Sequence, residues 1–252
     1  MTSKDFIYGL HAVIEAIDAG KSIDCIYVKK DLGGDLAREL LDKARAATVP
    51  VKHVPLERIN RFTRKNHQGV VALLAAVTYY KVEQILPLLW EEGDNPFFVV
   101  LDGVTDVRNF GAIARTADCA GVSAVVIPER DSVSVNADAI KTSAGALNYV
   151  PVCRERNLVN AIKYLRDSGC RIVGTSDHNA VSHTAATYTG PVAIVLGAED
   201  TGISPAVLAL CDDRVKIPEF GNINSLNVSV AGGIMMYEVV RQRLADGQAP
   251  SH

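Results

Sequence analysis

The chain predicts an α/β protein in two parts, a small N-terminal α/β domain followed by a larger domain built on a parallel sheet. Three observations carry this. After Pro96, short apolar runs of strand type alternate with helix-period segments. Near-continuously apolar strands separated by helices belong to parallel sheets covered on both faces. Before residue 78, a shorter βα-like set ends on the continuous apolar run Gln68–Val77. Between the two, Glu91-Glu92-Gly93-Asp94-Asn95-Pro96 is polar and punctuated by Gly and Pro, as a boundary is. The expected division is 1–77, a linker over 78–95, and 96–245.

In chain order, apolar spacing predicts a helix over Tyr8–Ile17, then a short strand Ile23–Val28. Leu36–Ala47 is an amphipathic helix, Val51–Val54 a strand, and Gln68–Val77 a strand of buried type. A short helix near Val82–Trp90 precedes the boundary. Beyond it, strands are expected at Phe97–Leu101, Ala124–Ile127, Arg171–Thr175, Ala193–Leu196 and Arg214–Ile217. Helices are expected around Gly111–Ala120, Asn136–Ser143, Leu158–Ser168, Pro205–Leu210 and Val228–Leu244. There is no internal repeat or low-complexity tract.

Composition excludes several classes. Hydrophobic content of 48% and charged content of 22% are ordinary for a soluble globular chain. No apolar run approaches the roughly 20 residues that span a bilayer, and the start lacks the layout of a signal peptide. The five cysteines, Cys25, Cys119, Cys153, Cys170 and Cys211, never form CxxC, which points to reduced thiols in a cytoplasmic protein. The six histidines (His11, His53, His67, His178, His183 and His252) show no metal spacing, so no metal site is expected. GxxxxGK[ST], GxGxxG and GxSxG are absent, which disfavours nucleotide hydrolysis, dinucleotide redox chemistry and serine hydrolysis.

The net charge of −3 is unevenly spread. Residues 1–77 carry 12 Lys and Arg against 9 Asp and Glu, a net of +3; the remainder carries 14 against 20, a net of −6. Within the basic part, Arg58, Arg61, Arg64, Lys65 and His67 surround Phe62. Basic side chains around an aromatic ring can hold phosphates and stack on a base, which suits RNA. The alternative is a solvated basic loop.

Three loops follow strand ends, where ligands of open α/β sheets sit. In residues 101–121, Asp102-Gly103 and Asn109-Phe110-Gly111 read as turns, and Arg115 then lies about one turn into a helix. A cation there opposes the helix dipole and suggests an anionic partner; the alternative is a salt bridge to Asp102, Asp106 or Asp118. In residues 194–204, Gly197 permits close backbone approach, Glu199 stands at the strand end, and Ser204-Pro205 reads as a helix cap. Glu199 pairs with Arg115, orients a donor, or is a plain solvated loop carboxylate. In residues 217–238, a Gly/Asn/Ser-rich loop opens into an apolar helix, with Ser225 or Asn227 as N-cap. Asn, Arg, Glu and Ser, with no strong base and no metal, suit a transfer in which a cofactor supplies the reactivity.

These three motifs, in this order, resemble the SpoU-type (TrmH-like) branch of the SPOUT RNA methyltransferases, which methylate a ribose 2′-hydroxyl. The carriers are Asn109-Phe110-Gly111-Ala112-Ile113-Ala114-Arg115, then Leu196-Gly197-Ala198-Glu199-Asp200-Thr201-Gly202, then Ile217-Pro218 with Ser225-Leu226-Asn227-Val228-Ser229-Val230-Ala231. The segments Ile7-Tyr8-Gly9-Leu10-His11-Ala12-Val13 and His67-Gln68-Gly69-Val70 look like the family's ribosomal-protein-like RNA-binding domain. Members acting on a guanosine of bacterial 23S rRNA are the most similar, with tRNA guanosine 2′-O-methyltransferases the alternative.

The resemblance implies a SPOUT domain with a C-terminal trefoil knot, a homodimer, S-adenosylmethionine as cofactor, and RNA (23S rRNA or a large-subunit assembly intermediate) as partner. It places the adenosyl part of the cofactor on Gly197, Ile217 and Leu226, with Thr175 and Pro218 as neighbours. It makes Arg115 the catalytic arginine, with Asn109, Glu199, Ser225 and Asn227 around it. Asp106-Val107-Arg108, Phe110 and Glu219-Phe220 depart from the common pattern and are expected at the site's edge. The short, nearly neutral tail Asp246 to His252 favours rRNA over tRNA, and the intact motif residues speak against a catalytically silent RNA-binding module.

Overall fold

Val13, Ile14 and Ala16 give helix α1 (Leu10–Asp18) one apolar stripe, and Ala37, Leu40 and Ala44 do the same for α2 (Asp35–Ala46). Both stripes bury against one face of a four-stranded sheet through Ile26, Val28, Val70 and Ala72. Its strands are β1 (Phe6–Tyr8), β2 (Ile23–Lys29), β3 (Val51–Val54) and β4 (Val70–Leu74), in the spatial order β1-β4-β2-β3. β4 pairs antiparallel with β1 and β2, whereas β2 and β3 run parallel. Strand alternation sends Val70 and Ala72 to the helix-covered face, and Val71 and Leu73 to the other.

The computed structural model describes residues 6–177, 179–222 and 225–248. The chain divides into two compact units, Met1–Thr78 with Ser134–Asn136, and Tyr79–Val133 with Ala137–His252. In the first, the helix expected from Tyr8 begins at Leu10. Tyr8 closes β1, Gly9 turns at φ 92°, and the Gln68 side-chain oxygen accepts the Leu10 N–H at 3.1 Å. The five-residue α3 (Leu56–Asn60) is a further element that the sequence pattern does not announce.

Of residues 78–95, expected as a linker, all from Tyr79 onward are built into the second unit. β5 (Tyr79–Tyr80) pairs with β8 (Val152–Glu155), and α4 (Val82–Glu92) buries Val82 and Leu86 in that unit's core. The Glu155 carboxylate accepts the Val82 N–H at 2.9 Å and lies 3.4 Å from Lys81 Nζ. The polar, Gly-containing stretch is the end of this helix, closed by Gly93 at φ 76°.

The second unit holds an eight-stranded sheet, all of whose pairings are parallel. Its strands are β5, β6 (Phe97–Asp102), β7 (Ala124–Pro128), β8, β9 (Arg171–Thr175), β10 (Val181–Ser182), β11 (Val192–Gly197) and β12 (Asp213–Lys216). The order is β10-β12-β9-β11-β6-β7-β8-β5. Helices follow as α5 (Val107–Cys119), α6 (Ala137–Thr142), α7 (Leu158–Asp167), α8 (Pro205–Leu208) and α9 (Val228–Ala245). Phe98, Val100, Ala193 and Val195 face α4, α7 and α8 in one apolar layer. On the other face, α9 and α5 meet near β11, where a side chain at Gly232 would reach Leu196 Cδ1 at 2.8 Å and Ile113 Cγ1 at 3.8 Å.

From β6 the chain steps outward to β7 and β8, then crosses back to β9 and β11 on the other side of β6. The reversal falls between β6 and β11, with Asp102 in register with Gly197. A crevice opens outside the carboxyl ends of strands at such a point.

Candidate active site

Asp106 caps α5: its Oδ1 accepts the N–H groups of Arg108 and Asn109, each at 2.9 Å. The helix therefore begins at Val107, and Asn109-Phe110-Gly111, expected as a turn, lies inside it. Gly111 is there for packing, since a Cβ would sit 2.2 Å from Thr142 Oγ1 and 2.9 Å from the Thr142 carbonyl carbon. Arg115 is thus more than two turns into the helix, and the expectation of a cation on its first turn is corrected. Phe110, expected at the site's edge, is fully buried in the core.

Asn227 caps α9, its Oδ1 accepting the Ser229 N–H at 3.0 Å, which decides between it and Ser225. Its amide nitrogen donates to Asn109 Oδ1 at 3.0 Å and to Glu199 Oε1 at 2.7 Å. The same Glu199 oxygen accepts from Asn109 Nδ2 at 3.0 Å and lies 3.5 Å from the Val228 N–H. Three segments far apart in sequence, the first turn of α5, the loop after β11 and the N-cap of α9, are thereby tied to one carboxylate at the β6/β11 reversal. Glu199 orients amide donors and does not pair with Arg115. Arg115 is exposed and makes no ion pair or side-chain hydrogen bond among the described residues, so none of Asp102, Asp106 and Asp118 holds it. Arg108, seven residues earlier on the same helical face, is also exposed.

Beside this cluster, at the carboxyl ends of β9, β11 and β12, lies a cavity of about 410 Å³. That is within the size range of small-molecule sites, roughly 300–1,000 Å³. Thr175, Gly197, Ile217 and Leu226 line it, as do Glu199 and Ser225, whereas Pro218 is exposed and does not. Its apolar wall comes from Leu196, Ile203, Val228 and Ala231, which suits the flat faces of a nucleoside. Gly197 has a reason in the chain itself: a Cβ there would fall 2.2 Å from both Gly202 C and Ile203 N, where the loop doubles back. The sequence reading missed Asp177 and Lys216, polar residues within two positions of the ends of β9 and β12, whereas Glu219, expected at the site's edge, also lines the cavity. That position relative to a strand end was the available signal. A larger cavity, about 720 Å³, lies at the opposite end of the sheet, near Asn95, Ser123 and Val150, where strands begin rather than end.

In the first unit, Arg58, Arg61, Arg64 and Lys65 are exposed around α3 and the loop after it. His67 is used by the fold: its Nδ1 accepts the Gly69 N–H at 2.9 Å, and its Nε2 bonds Asn60 Oδ1 at 2.9 Å. Phe62 packs on Tyr27, with ring centroids 5.2 Å apart, and on Phe6 at 6.2 Å.

Burial pushes the Cys153 thiol up to about 12 and the Cys170 and half-buried Cys211 thiols up to about 11, which disfavours the nucleophilic thiolate. Among the described residues no group of three or more His, Cys, Asp and Glu could hold a metal, and no helix is long and apolar enough to cross a membrane. His178 and His252 lie outside the described residues.

A parallel α/β unit with a nucleoside-sized cavity at the carboxyl ends of its strands has the form of a cofactor-binding enzyme domain. Comparisons narrow the class. Residues 96–237 match the SpoU rRNA Methylase family, and residues 6–80 match the RNA 2′-O ribose methyltransferase substrate-binding family. A Staphylococcus haemolyticus protein assigned to the TrmH family of tRNA/rRNA methyltransferases is 38% identical over 94% of this chain and 95% of its own length. A Staphylococcus aureus (strain MSSA476) relative with the same assignment is 39% identical over 94% and 96%. Among solved structures, the AdoMet-bound rRNA methyltransferase from Sinorhizobium meliloti is similar at a TM-score of 0.60 and 27% identity, over 94% of this chain and 87% of that one. The SpoU methyltransferase AviRb from Streptomyces viridochromogenes, in complex with AdoMet, gives 0.60 and 25% over 95% and 90%. This chain belongs to the SpoU/TrmH family of RNA methyltransferases.

Proposed function

We propose that this protein transfers the methyl group of S-adenosylmethionine to the 2′-hydroxyl of a guanosine ribose in 23S rRNA, acting in the cytoplasm as a homodimer. The observation that carries the reading is the Asn109–Glu199–Asn227 cluster beside a cavity lined by Thr175, Gly197, Ile217 and Leu226. The cavity's size and apolar wall fit S-adenosylmethionine, which supplies an already electrophilic methyl group. What remains for the chain is to align a ribose oxygen and to stabilise charge on it. The cluster fixes the three segments that would do the aligning. A general-base role for Arg115 sits uneasily with guanidinium chemistry, so an electrostatic role is preferred. Exposed and unpaired, Arg115 is suited to clamp a neighbouring phosphate and to stabilise negative charge developing on the 2′-oxygen. Ser225, on the cavity wall, is positioned to contact either substrate.

The homodimer reading is supported by one stripe of α9 and the loop before it. Leu226, Val230, Ile234 and Tyr237 lie four, four and three residues apart and are 38, 51, 36 and 50% exposed. The trefoil knot implied by the family would be formed by the chain leading into α9. RNA engagement by the first unit rests on the basic group at Arg58, Arg61, Arg64 and Lys65.

Transfer of labelled methyl from S-adenosylmethionine to unmodified rRNA and, separately, unmodified tRNA tests the reading. Label mapped to a guanosine 2′-oxygen of 23S rRNA is the expected result; label in tRNA alone overturns the substrate and keeps the chemistry. Arg115→Ala should lower turnover by roughly 100-fold or more, the usual loss when one donor to a developing oxyanion is removed. Its affinity for S-adenosylmethionine, measured by calorimetry, should stay within a few fold. Unchanged turnover removes Arg115 from the reaction.

A further inference from the structure

The two faces of the first unit's sheet differ in kind. α1 and α2 cover an aliphatic face, whereas the other carries Phe6, Tyr8 and Tyr27, packed among the described residues by the five-residue α3 and by Phe62 just after it. Tyr27 is 8% exposed, and the Arg58 guanidinium carbon lies over its ring, 5.4 Å from the centroid. Arg58 itself is exposed, and no carboxylate pairs with it among the described residues. Arg61, Arg64 and Lys65, close by in sequence, are exposed with no ring beneath them among the described residues. The four cations are therefore not equivalent. Three are free to follow phosphates, while the fourth is seated on an aromatic floor. A planar, delocalised, weakly hydrated guanidinium in that setting offers solvent a flat surface on which a nucleobase can stack.

We infer that Arg58, seated on Tyr27, is a stacking subsite for one unpaired nucleobase, and that Arg61, Arg64 and Lys65 hold the phosphates flanking it. The substrate this unit recognises is then a single-stranded loop, bulge or junction, because bases of a continuous duplex are already stacked and face inward. The inference rests on the reading of this protein as an RNA methyltransferase whose first unit binds substrate. It goes beyond that reading in assigning base contact and phosphate contact to different residues of one basic group.

The test uses the full-length protein and two probes carrying equal phosphate charge, a short single-stranded oligoadenylate and the same strand with abasic sites. Binding is read by fluorescence anisotropy over a range of salt concentrations. The wild type should favour the base-bearing strand by roughly tenfold, the scale of one stacked base. Arg58→Lys keeps the charge and loses the plane, so the preference should fall toward parity with the salt slope unchanged. Arg61→Ala with Arg64→Ala should lower the slope by about 1.4, since each single-strand phosphate contact contributes about 0.7, and should leave the preference intact. A preference that survives in Arg58→Lys overturns the stacking subsite. A salt slope unmoved in the double variant overturns RNA binding by this basic group altogether, a different failure with a different readout. Thermal melts of Arg58→Lys guard against a folding defect.

Discussion

Single atoms decide whether the motif segments can meet. At Gly111, an alanine would ordinarily improve a helix interior by about 1 kcal/mol. Here the added Cβ meets Thr142 Oγ1, Cβ and backbone carbon at 2.2, 2.6 and 2.9 Å, and no rotamer of Thr142 moves its backbone. Gly111→Ala is therefore expected to destabilise by about 1–3 kcal/mol, the usual cost of overpacking. In a chain of this size that is a drop of several degrees in melting temperature. A melt at or above the wild-type temperature would show that α6 yields freely. Glycine and asparagine so close together read as a turn in the sequence. Only Asp106, accepting two backbone N–H groups, makes the segment a helix start, and its role depends on a cap geometry that residue type alone does not reveal.

At the scale of elements, α9 shows how one helix serves several masters. Its N-cap belongs to the candidate-site cluster, one stripe is exposed and apolar, and its last turns fasten the chain ahead of both β6 and β11. Gln242 donates to the Ala186 carbonyl and accepts from the Tyr188 N–H, while Arg243 donates to the carbonyls of Asn95, Pro96, Tyr188 and Gly190. Between these, Glu238 accepts two bonds from Arg241 at 2.7 and 2.8 Å and one from Gln242 at 2.8 Å. The Arg241 hydrogen bonds hold its carboxyl below the ordinary value of 4.5. A lowered carboxyl stabilises the fold above its unfolded value, and the contribution is lost as pH falls through the lower, folded one. Glu155 has the opposite sign: burial raises it, so its contribution is largest below 4.5 and declines as pH rises through the raised value. Glu238→Gln should accordingly melt a few degrees below wild type at pH 7, about 1 kcal/mol, with the gap narrowing below pH 4.5. A gap independent of pH would remove the charge of Glu238 from the account.

For the whole molecule, division of labour between two units is the main theme. A net of +3 on residues 1–77 and −6 on the rest puts the basic charge in the unit proposed to hold RNA. The proposed homodimer belongs to this scale as well. Tyr237 is half exposed on the folded unit, so Tyr237→Asp should lower the melting temperature by no more than a few degrees while converting a dimer to a monomer in light scattering. A wild-type protein that is monomeric at micromolar concentration would sink the proposal.

The alternation of apolar runs and helical spacing was enough to read the parallel sheet, the separate basic unit and the three loops of the site. Each of those is written in local pattern: period two, period 3.6, or a cluster of small polar residues after a strand. The short elements β1, β5, β8, β10 and α3 were not legible, because two to five residues carry too little periodicity to outweigh the turns around them. Nor did sequence decide between Glu199 pairing with Arg115 and Glu199 orienting amides. That choice is made where α5, the loop after β11 and the N-terminus of α9 converge, residues 109, 199 and 227 along the chain. Hydrogen bonds depend on distance and angle in space, which the sequence constrains only through the whole packed sheet. The sequence by itself determined the fold class, the family and the inventory of polar groups. The tertiary structure alone decided which of them touch, which charges stay free, and which glycines the chain needs for its own close contacts.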